Sequence, residues 1–104
     1  MALVKVCASS ELGEEEARAF EVSGAEGILI RSGGRLFACE RYCTHEEFPL
    51  EFGQVTGSVL RCTYHGAEFD LESGAVVSPP ATRPLNVYPV RVEAGDILVD
   101  VGKL

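Results

Sequence analysis

The chain has 104 residues, of which 46% are hydrophobic, and a formal net charge of −7. This length fits one small domain, and the hydrophobic content excludes a disordered chain. The acidic balance argues against a nucleic-acid partner, because phosphates require a basic surface. No apolar run approaches the roughly 20 residues that cross a bilayer, and the first residues show no basic flank before an apolar stretch. We therefore expect a cytoplasmic protein without a membrane contact, organised as one domain over residues 1–104.

Short apolar runs separated by turn signals predict an all-β chain. In chain order these runs are Leu3–Cys7, Ala17–Val22, Gly27–Arg31, Arg35–Glu40, Ser58–Cys62, Ala67–Glu72, Leu85–Val92 and Asp96–Val101. Ser32-Gly33-Gly34 and Glu93-Ala94-Gly95 are typical hairpin turns. Strands this short and this regularly spaced predict a small antiparallel β-sandwich or barrel.

Two stretches complicate this pattern. The run Glu11–Phe20 is rich in residues that favour helices. Gly13 and the absence of an apolar stripe argue against a helix there. Around Pro89 the apolar residues change from odd to even positions, which indicates a bulge or an edge strand, because proline cannot donate a backbone hydrogen bond.

Both histidines stand beside a cysteine in a short polar loop. Cys43 and His45 form C-x-H, and sixteen residues later Cys62 and His65 form C-x-x-H. A tetrahedral zinc site takes four such ligands, and a [2Fe–2S] cluster takes the same set when histidines replace two cysteines on one iron. Thiolate and imidazole suit both metals, so the ligand types leave the choice open. A disulfide is disfavoured, because thiols in the cytoplasm stay reduced.

The segments "CTH" (43–45) and "CTYHGAEFD" (62–70) resemble the Rieske [2Fe–2S] signature. The chain looks most like the small Rieske-type ferredoxins of bacterial multicomponent oxygenases that hydroxylate aromatic rings. The likeness extends over nearly the whole chain and includes "LFACERYCTH" and "SGAVVSPPATRPLNVYPVRVEAGDILV". It implies a Rieske-type β-sandwich whose cluster-binding portion, about residues 39–82, presents two hairpin loops.

The resemblance also implies residue roles. Cys43 and Cys62 would hold the inner iron of one [2Fe–2S] cluster. His45 and His65 would hold the outer iron through their Nδ1 atoms. A third loop, around Ser78–Pro80, would cover the cluster.

The resemblance implies an electron carrier and not an enzyme. Single electrons would come from a flavin-dependent NAD(P)H reductase and pass to a terminal oxygenase. One alternative is a small Rieske-like subunit of a larger reductase such as nitrite reductase. Another is a Cys₂His₂ zinc module that mediates protein binding. The other cysteines, Cys7 and Cys39, lie in predicted strands, where a free thiol behaves as a small hydrophobic group.

The chain differs from its relatives at several positions near the motif. Respiratory Rieske proteins carry a disulfide where this chain has Phe48 and Tyr64. They place a serine and a tyrosine hydroxyl against the cluster sulfurs where this chain has Ala67 and Phe69. Without those hydroxyls we expect a reduction potential near the low end of the Rieske range, roughly −150 mV. Glu46 replaces a glycine that is usual in ferredoxin relatives, so the first loop is expected to follow a different path.

Acidic residues cluster around the first motif. Glu40, Glu46, Glu47 and Glu51 all lie within eight residues of a first-loop ligand. We therefore expect negative charge around the cluster, which would meet basic patches on protein partners.

Overall fold

The structure is a computed structural model that describes residues 3–44, 48–63, 66–79 and 83–102. These residues contain strands and two 3₁₀ turns but no α-helix, which confirms the all-β prediction. The strands are β1 (Val4–Ala8), β2 (Ala17–Val22), β3 (Ala25–Ser32), β4 (Arg35–Glu40), β5 (Gln54–Thr56), β6 (Val59–Arg61), β7 (Glu68–Asp70), β8 (Val76–Ser78), β9 (Val87–Tyr88), β10 (Val90–Glu93) and β11 (Asp96–Val99). None of the described residues forms a helix long and apolar enough to cross a membrane.

The strands form three antiparallel sheets. A base sheet has the order β1-β11-β10, a middle sheet β2-β3-β4-β9, and a third sheet β5-β6-β7-β8. Ile28, Leu29 and Ile30 of β3 are all fully buried. Because successive side chains of a strand point to opposite faces, the middle sheet is covered on both sides.

Two hydrophobic cores lie on the two faces of the middle sheet. The larger core contains Ile28, Ile30, Phe37, Cys39, Cys43, Leu50, Leu60, Cys62, Ala67, Phe69, Leu71 and Leu85. The smaller core contains Cys7, Leu12, Leu29, Ala38, Ile97 and Val99. The larger core therefore joins the middle sheet to the third sheet and the two cysteine motifs.

Both predicted hairpin turns are confirmed. Gly33 and Gly34 connect β3 to β4 with φ values of 61° and 76°, the left-handed region that glycine adopts without steric cost. Their N–H groups both donate to the Glu14 carboxylate. Ala94 and Gly95 connect β10 to β11 and also have positive φ.

The run Glu11–Phe20 is not helical. A 3₁₀ turn occupies Ser9–Glu11, and β2 begins at Ala17. The Arg31 guanidinium donates to the carbonyls of Leu12 and Ser9 at 2.9 and 3.1 Å, which fixes this segment in an irregular path.

Pro89 marks the point where the chain changes sheets. β9 pairs with β4 in the middle sheet, whereas β10 pairs with β11 in the base sheet. Both are edge strands, which confirms that interpretation of Pro89. The sequence pattern did not predict β5 and β8, each of which has three residues.

Candidate metal centre

The structure brings the two predicted cysteine ligands into one core. Cys43 lies in a first loop (residues 41–50) after β4, and Cys62 begins a second loop (residues 62–67) between β6 and β7. Both side chains are nearly inaccessible, at 4% and 2% exposure, and neither forms a disulfide. His45 and His65 lie outside the described residues, so their role as ligands stays a prediction.

Backbone hydrogen bonds join the two sides of the first loop, which carries the C-x-H motif. The Cys43 N–H donates to the Phe48 carbonyl at 3.0 Å, and the Leu50 N–H donates to the Arg41 carbonyl at 2.7 Å. An isolated antiparallel bridge joins Tyr42 to Pro49 between these bonds. Residues 41–43 and 48–50 are therefore paired as the two arms of a hairpin.

Charged side chains hold the base of the first loop. Arg41 donates to Glu51 through Nε and Nη2, at 3.1 and 2.7 Å, and to Glu26 through Nη1 at 2.7 Å. The Tyr42 hydroxyl also donates to Glu26, at 3.1 Å. The hydrogen bond to Glu51, followed by the one to Glu26, raises the pKa of Arg41 above its usual range. We call these four residues the Arg41 clamp, since they join the loop to β3 and to the 3₁₀ turn Leu50–Phe52.

The second loop is also closed by backbone hydrogen bonds. The Cys62 N–H donates to the Ala67 carbonyl at 2.8 Å, and the Gly66 N–H donates back to the Cys62 carbonyl at 2.9 Å. Gly66 has a φ of 84°, a conformation that residues with a Cβ rarely adopt. Ala67 and Phe69 are almost fully buried, so the positions predicted to lack hydroxyls face the larger core.

The chain after β8 returns to the first loop at Arg83. The Thr44 hydroxyl donates to the Arg83 carbonyl at 2.5 Å, and the Arg83 guanidinium lies 3.8 Å from the Glu40 carboxylate. The sequence analysis did not predict this link between Thr44 and Arg83. Its sequence signal is Thr44, the polar residue inside the C-x-H motif. The predicted third loop, around Ser78–Pro80, extends beyond the described residues at Pro80, so its covering role stays a prediction.

The predicted ring of negative charge around the cluster is wrong for Glu40 and Glu51, two of its four residues. Glu40 faces Arg83, and its carboxylate also accepts from the Asn86 N–H at 2.8 Å. Glu51 is only 11% exposed and is occupied by the Arg41 clamp. Glu46 and Glu47 lie outside the described residues.

The other two cysteines are buried, as expected from their strands. Cys39 has no exposed surface, and burial, with a smaller effect of Glu40, raises the pKa of its thiol to about 12. Burial likewise raises the pKa of Cys7. Because the thiolate is the form that binds metals, both residues suit a structural role.

Comparisons with known proteins agree with this geometry. A family model described as the Rieske [2Fe-2S] domain matches residues 2–89. The chain is 38% identical over 102 residues to the ferredoxin component of biphenyl 2,3-dioxygenase from Rhodococcus jostii (strain RHA1), covering 97% of this chain and 94% of that relative. The ferredoxin of carbazole 1,9a-dioxygenase from Nocardioides aromaticivorans IC177 has a TM-score of 0.88 at 31% identity, covering 95% of this chain and 97% of that one. A chain in the complex of reduced oxygenase and oxidized ferredoxin in carbazole 1,9a-dioxygenase has a TM-score of 0.89 at 34% identity, covering 98% of this chain and 95% of that one.

The three-sheet fold with two buried cysteines on two loops, together with the family match and the ferredoxin relatives, identifies the chain as an iron–sulfur electron carrier. The chain belongs to the Rieske [2Fe–2S] domain family. Its relatives are ferredoxin components of dioxygenase systems, which are electron carriers rather than the catalytic enzymes of those systems. The predicted family, fold, cofactor and carrier role are therefore confirmed. The relatives give no support to a zinc module or to a nitrite reductase subunit.

Proposed function

We propose that Cys43, His45, Cys62 and His65 hold one [2Fe–2S] cluster in this chain. The observation that supports this most directly is the burial of Cys43 and Cys62 in a single core, with neither cysteine in a disulfide. Each cysteine is followed, two or three residues later, by one of the two histidines. Two thiolates and two imidazoles are the ligand set of a Rieske centre.

The backbone segments that border the two loops pair with each other in the β5–β6 hairpin. Gly53 follows the 3₁₀ turn at the end of the first loop, and Arg61 directly precedes the second loop. A Cβ on Gly53 would lie 2.5 Å from the Arg61 carbonyl oxygen, so only glycine permits this approach. The larger core and this backbone contact together hold the two thiols on one scaffold.

Metal and sulfide analysis tests the ligand assignment. When bound, the cluster supplies a one-electron redox centre. Purified protein should contain about two irons and two acid-labile sulfides per chain, with the electron paramagnetic resonance (EPR) spectrum of a Rieske centre. Stoichiometric zinc without iron, from cells supplied with iron, would reject the assignment.

We infer that the chain carries single electrons from a flavin-dependent NAD(P)H reductase to a terminal oxygenase that hydroxylates aromatic rings. The oxygenase partner is supported by the likeness to a chain in the carbazole 1,9a-dioxygenase complex. The reductase is inferred because a ferredoxin component needs an electron donor. Mixing the protein with both candidate partners and NAD(P)H tests this role, since product formation must depend on the carrier. A cytoplasmic location remains part of the proposal.

The potential is proposed to lie near the low end of the Rieske range, roughly −150 mV. Ala67 and Phe69 supply no hydroxyl to the cluster sulfurs, and such hydrogen bonds stabilise the reduced state. Phe69→Tyr should raise the potential if its new hydroxyl reaches a sulfur. Protein-film voltammetry of the wild type above about +100 mV would contradict this reasoning.

Partner docking is proposed to involve Glu46 and Glu47, because the carboxylates of Glu40 and Glu51 face arginines within the protein. Interfaces of electron-transfer partners are small, typically below about 1,200 Å², and charge mainly sets their association rate. Glu47→Lys should slow electron transfer at low salt, whereas Glu93→Lys in the base sheet serves as the matched control. Equal electron-transfer rates for Glu47→Lys and Glu93→Lys would show that Glu47 is not part of the docking surface.

A further inference from the structure

Arg61 places a positive charge against the second loop. It ends β6 and directly precedes Cys62. Its guanidinium lies over Gly66, because a Cβ at Gly66 would be 3.3 Å from Nη2 and 3.8 Å from Nε of Arg61. Gly66 follows His65 in the sequence, so the cation sits beside the peptide next to a proposed iron ligand.

Most other cations of the described residues are already paired. The ion pairs are Lys5–Asp96, Arg35–Glu72, Arg41–Glu51, Arg83–Glu40 and Arg91–Glu93. Arg31 donates to backbone carbonyls instead. Among the residues that the structure describes, Arg61 and Arg18 have no carboxylate within 4 Å. Within the described residues, no direct ion pair therefore neutralises the charge of Arg61.

The acidic residue that faces Arg61 across the sheet is Glu68, its register partner on β7. The Glu68 carboxylate accepts a hydrogen bond from the Ser78 hydroxyl at 2.7 Å. The negative charge of Glu68 therefore lies on the same face of the sheet as Arg61, but too far from Arg61 to form an ion pair. The two residues form a matched pair of opposite charges beside the second loop.

We propose that Arg61 raises the reduction potential of the cluster. Reduction adds one negative charge, and a nearby fixed cation stabilises the reduced form more than the oxidised form. Arg61 would thus partly offset the missing hydroxyls at Ala67 and Phe69. This inference rests on the proposed ligand set, because the charge acts on a cluster held by Cys62 and His65. Since Arg61 is exposed, mobile ions should weaken its effect.

Voltammetry of the cluster-loaded protein tests the inference with four variants. Arg61→Gln should lower the potential, and Arg61→Lys should keep most of the wild-type value. Glu68→Gln should shift the potential upward, since it removes the facing negative charge. Arg18→Gln is the control, because Arg18 is also exposed and unpaired among the described residues but lies on β2. The shift caused by Arg61→Gln should shrink when the salt concentration rises.

Two results would overturn the inference. Arg61→Gln could leave the potential unchanged, or Arg18→Gln could lower it as much, which would show an effect of net charge alone. The EPR spectrum of each variant separates this failure from failure of the proposed ligands. An intact Rieske spectrum with an unmoved potential rejects only the role of Arg61, whereas a wild type without that spectrum rejects both.

Discussion

The two cluster loops are held in place by different forces. The first loop has two backbone hydrogen bonds of its own and is also held by charged side chains, because Arg41 joins it to Glu51 and to Glu26 of β3. The second loop is a tight hairpin closed by two backbone hydrogen bonds and by Gly66 at positive φ. Salt should weaken the pair of Arg41 with the more exposed Glu26 more than its pair with Glu51, and should change backbone bonds little. We therefore expect the first loop to respond to ionic strength and the second loop to respond to backbone substitutions.

The largest effect is expected from removing either buried thiol. Cys43→Ser on the first loop and Cys62→Ser on the second should each abolish the [2Fe–2S] cluster, because neither loop alone can hold it. Iron and sulfide analysis with visible absorption measures the loss. Cys39→Ala is the matched control, since Cys39 lies in the same core but is not a proposed ligand. A variant that loses Cys43 or Cys62 yet keeps a normal cluster would refute the ligand assignment.

A substitution in the β5–β6 hairpin, which lies between the two loops in the sequence, tests the close approach of Gly53 to Arg61. In Gly53→Ala the new Cβ would lie 2.5 Å from the Arg61 backbone oxygen, which cannot move as a side chain does. Forcing the backbone apart should cost about 1–3 kcal/mol, or roughly 4–8 °C in Tm for each kcal/mol. Gly13→Ala is the control, because its nearest atom is an ordinary 3.7 Å away. Equal Tm values for the two variants would contradict the close approach.

The second loop alone is tested by Gly66→Ala. Its φ of 84° makes an alanine cost about 1–2 kcal/mol. Gly24→Ala has almost the same φ, 80°, in a turn of the middle sheet with open space around it. Both variants should lose similar thermal stability, but only Gly66→Ala should change the EPR spectrum of the cluster. A spectral change of the same size in Gly24→Ala would mean that backbone strain anywhere disturbs the site.

The sequence predicted more of the second loop than of the first. The runs "SVLRC" and "AEFDLE" bracket the second loop, so β6 and β7 could be predicted as strands from the sequence. The Arg41 clamp could not be predicted, because Arg41, Glu51 and Glu26 are distant in sequence and meet only through tertiary packing. For the same reason Glu40 and Glu51 were expected to surround the cluster as free charges. The sequence shows where charged residues lie along the chain, but which of them form ion pairs depends on the fold.

The smallest effect is expected from breaking the Arg41 clamp. Arg41→Gln removes the charge-assisted bonds to Glu51 and Glu26, so the first loop should open more often. A chelator should then remove iron a few-fold faster than from the wild type at low salt. The Arg91→Gln control breaks an exposed ion pair in the base sheet and should leave iron release unchanged. High salt should bring the wild type only part of the way toward Arg41→Gln, because screening weakens the pair with the more exposed Glu26 more than the pair with Glu51. If iron release from Arg41→Gln and wild type is equally fast at low salt, backbone pairing alone holds the first loop, and the contrast between the loops disappears.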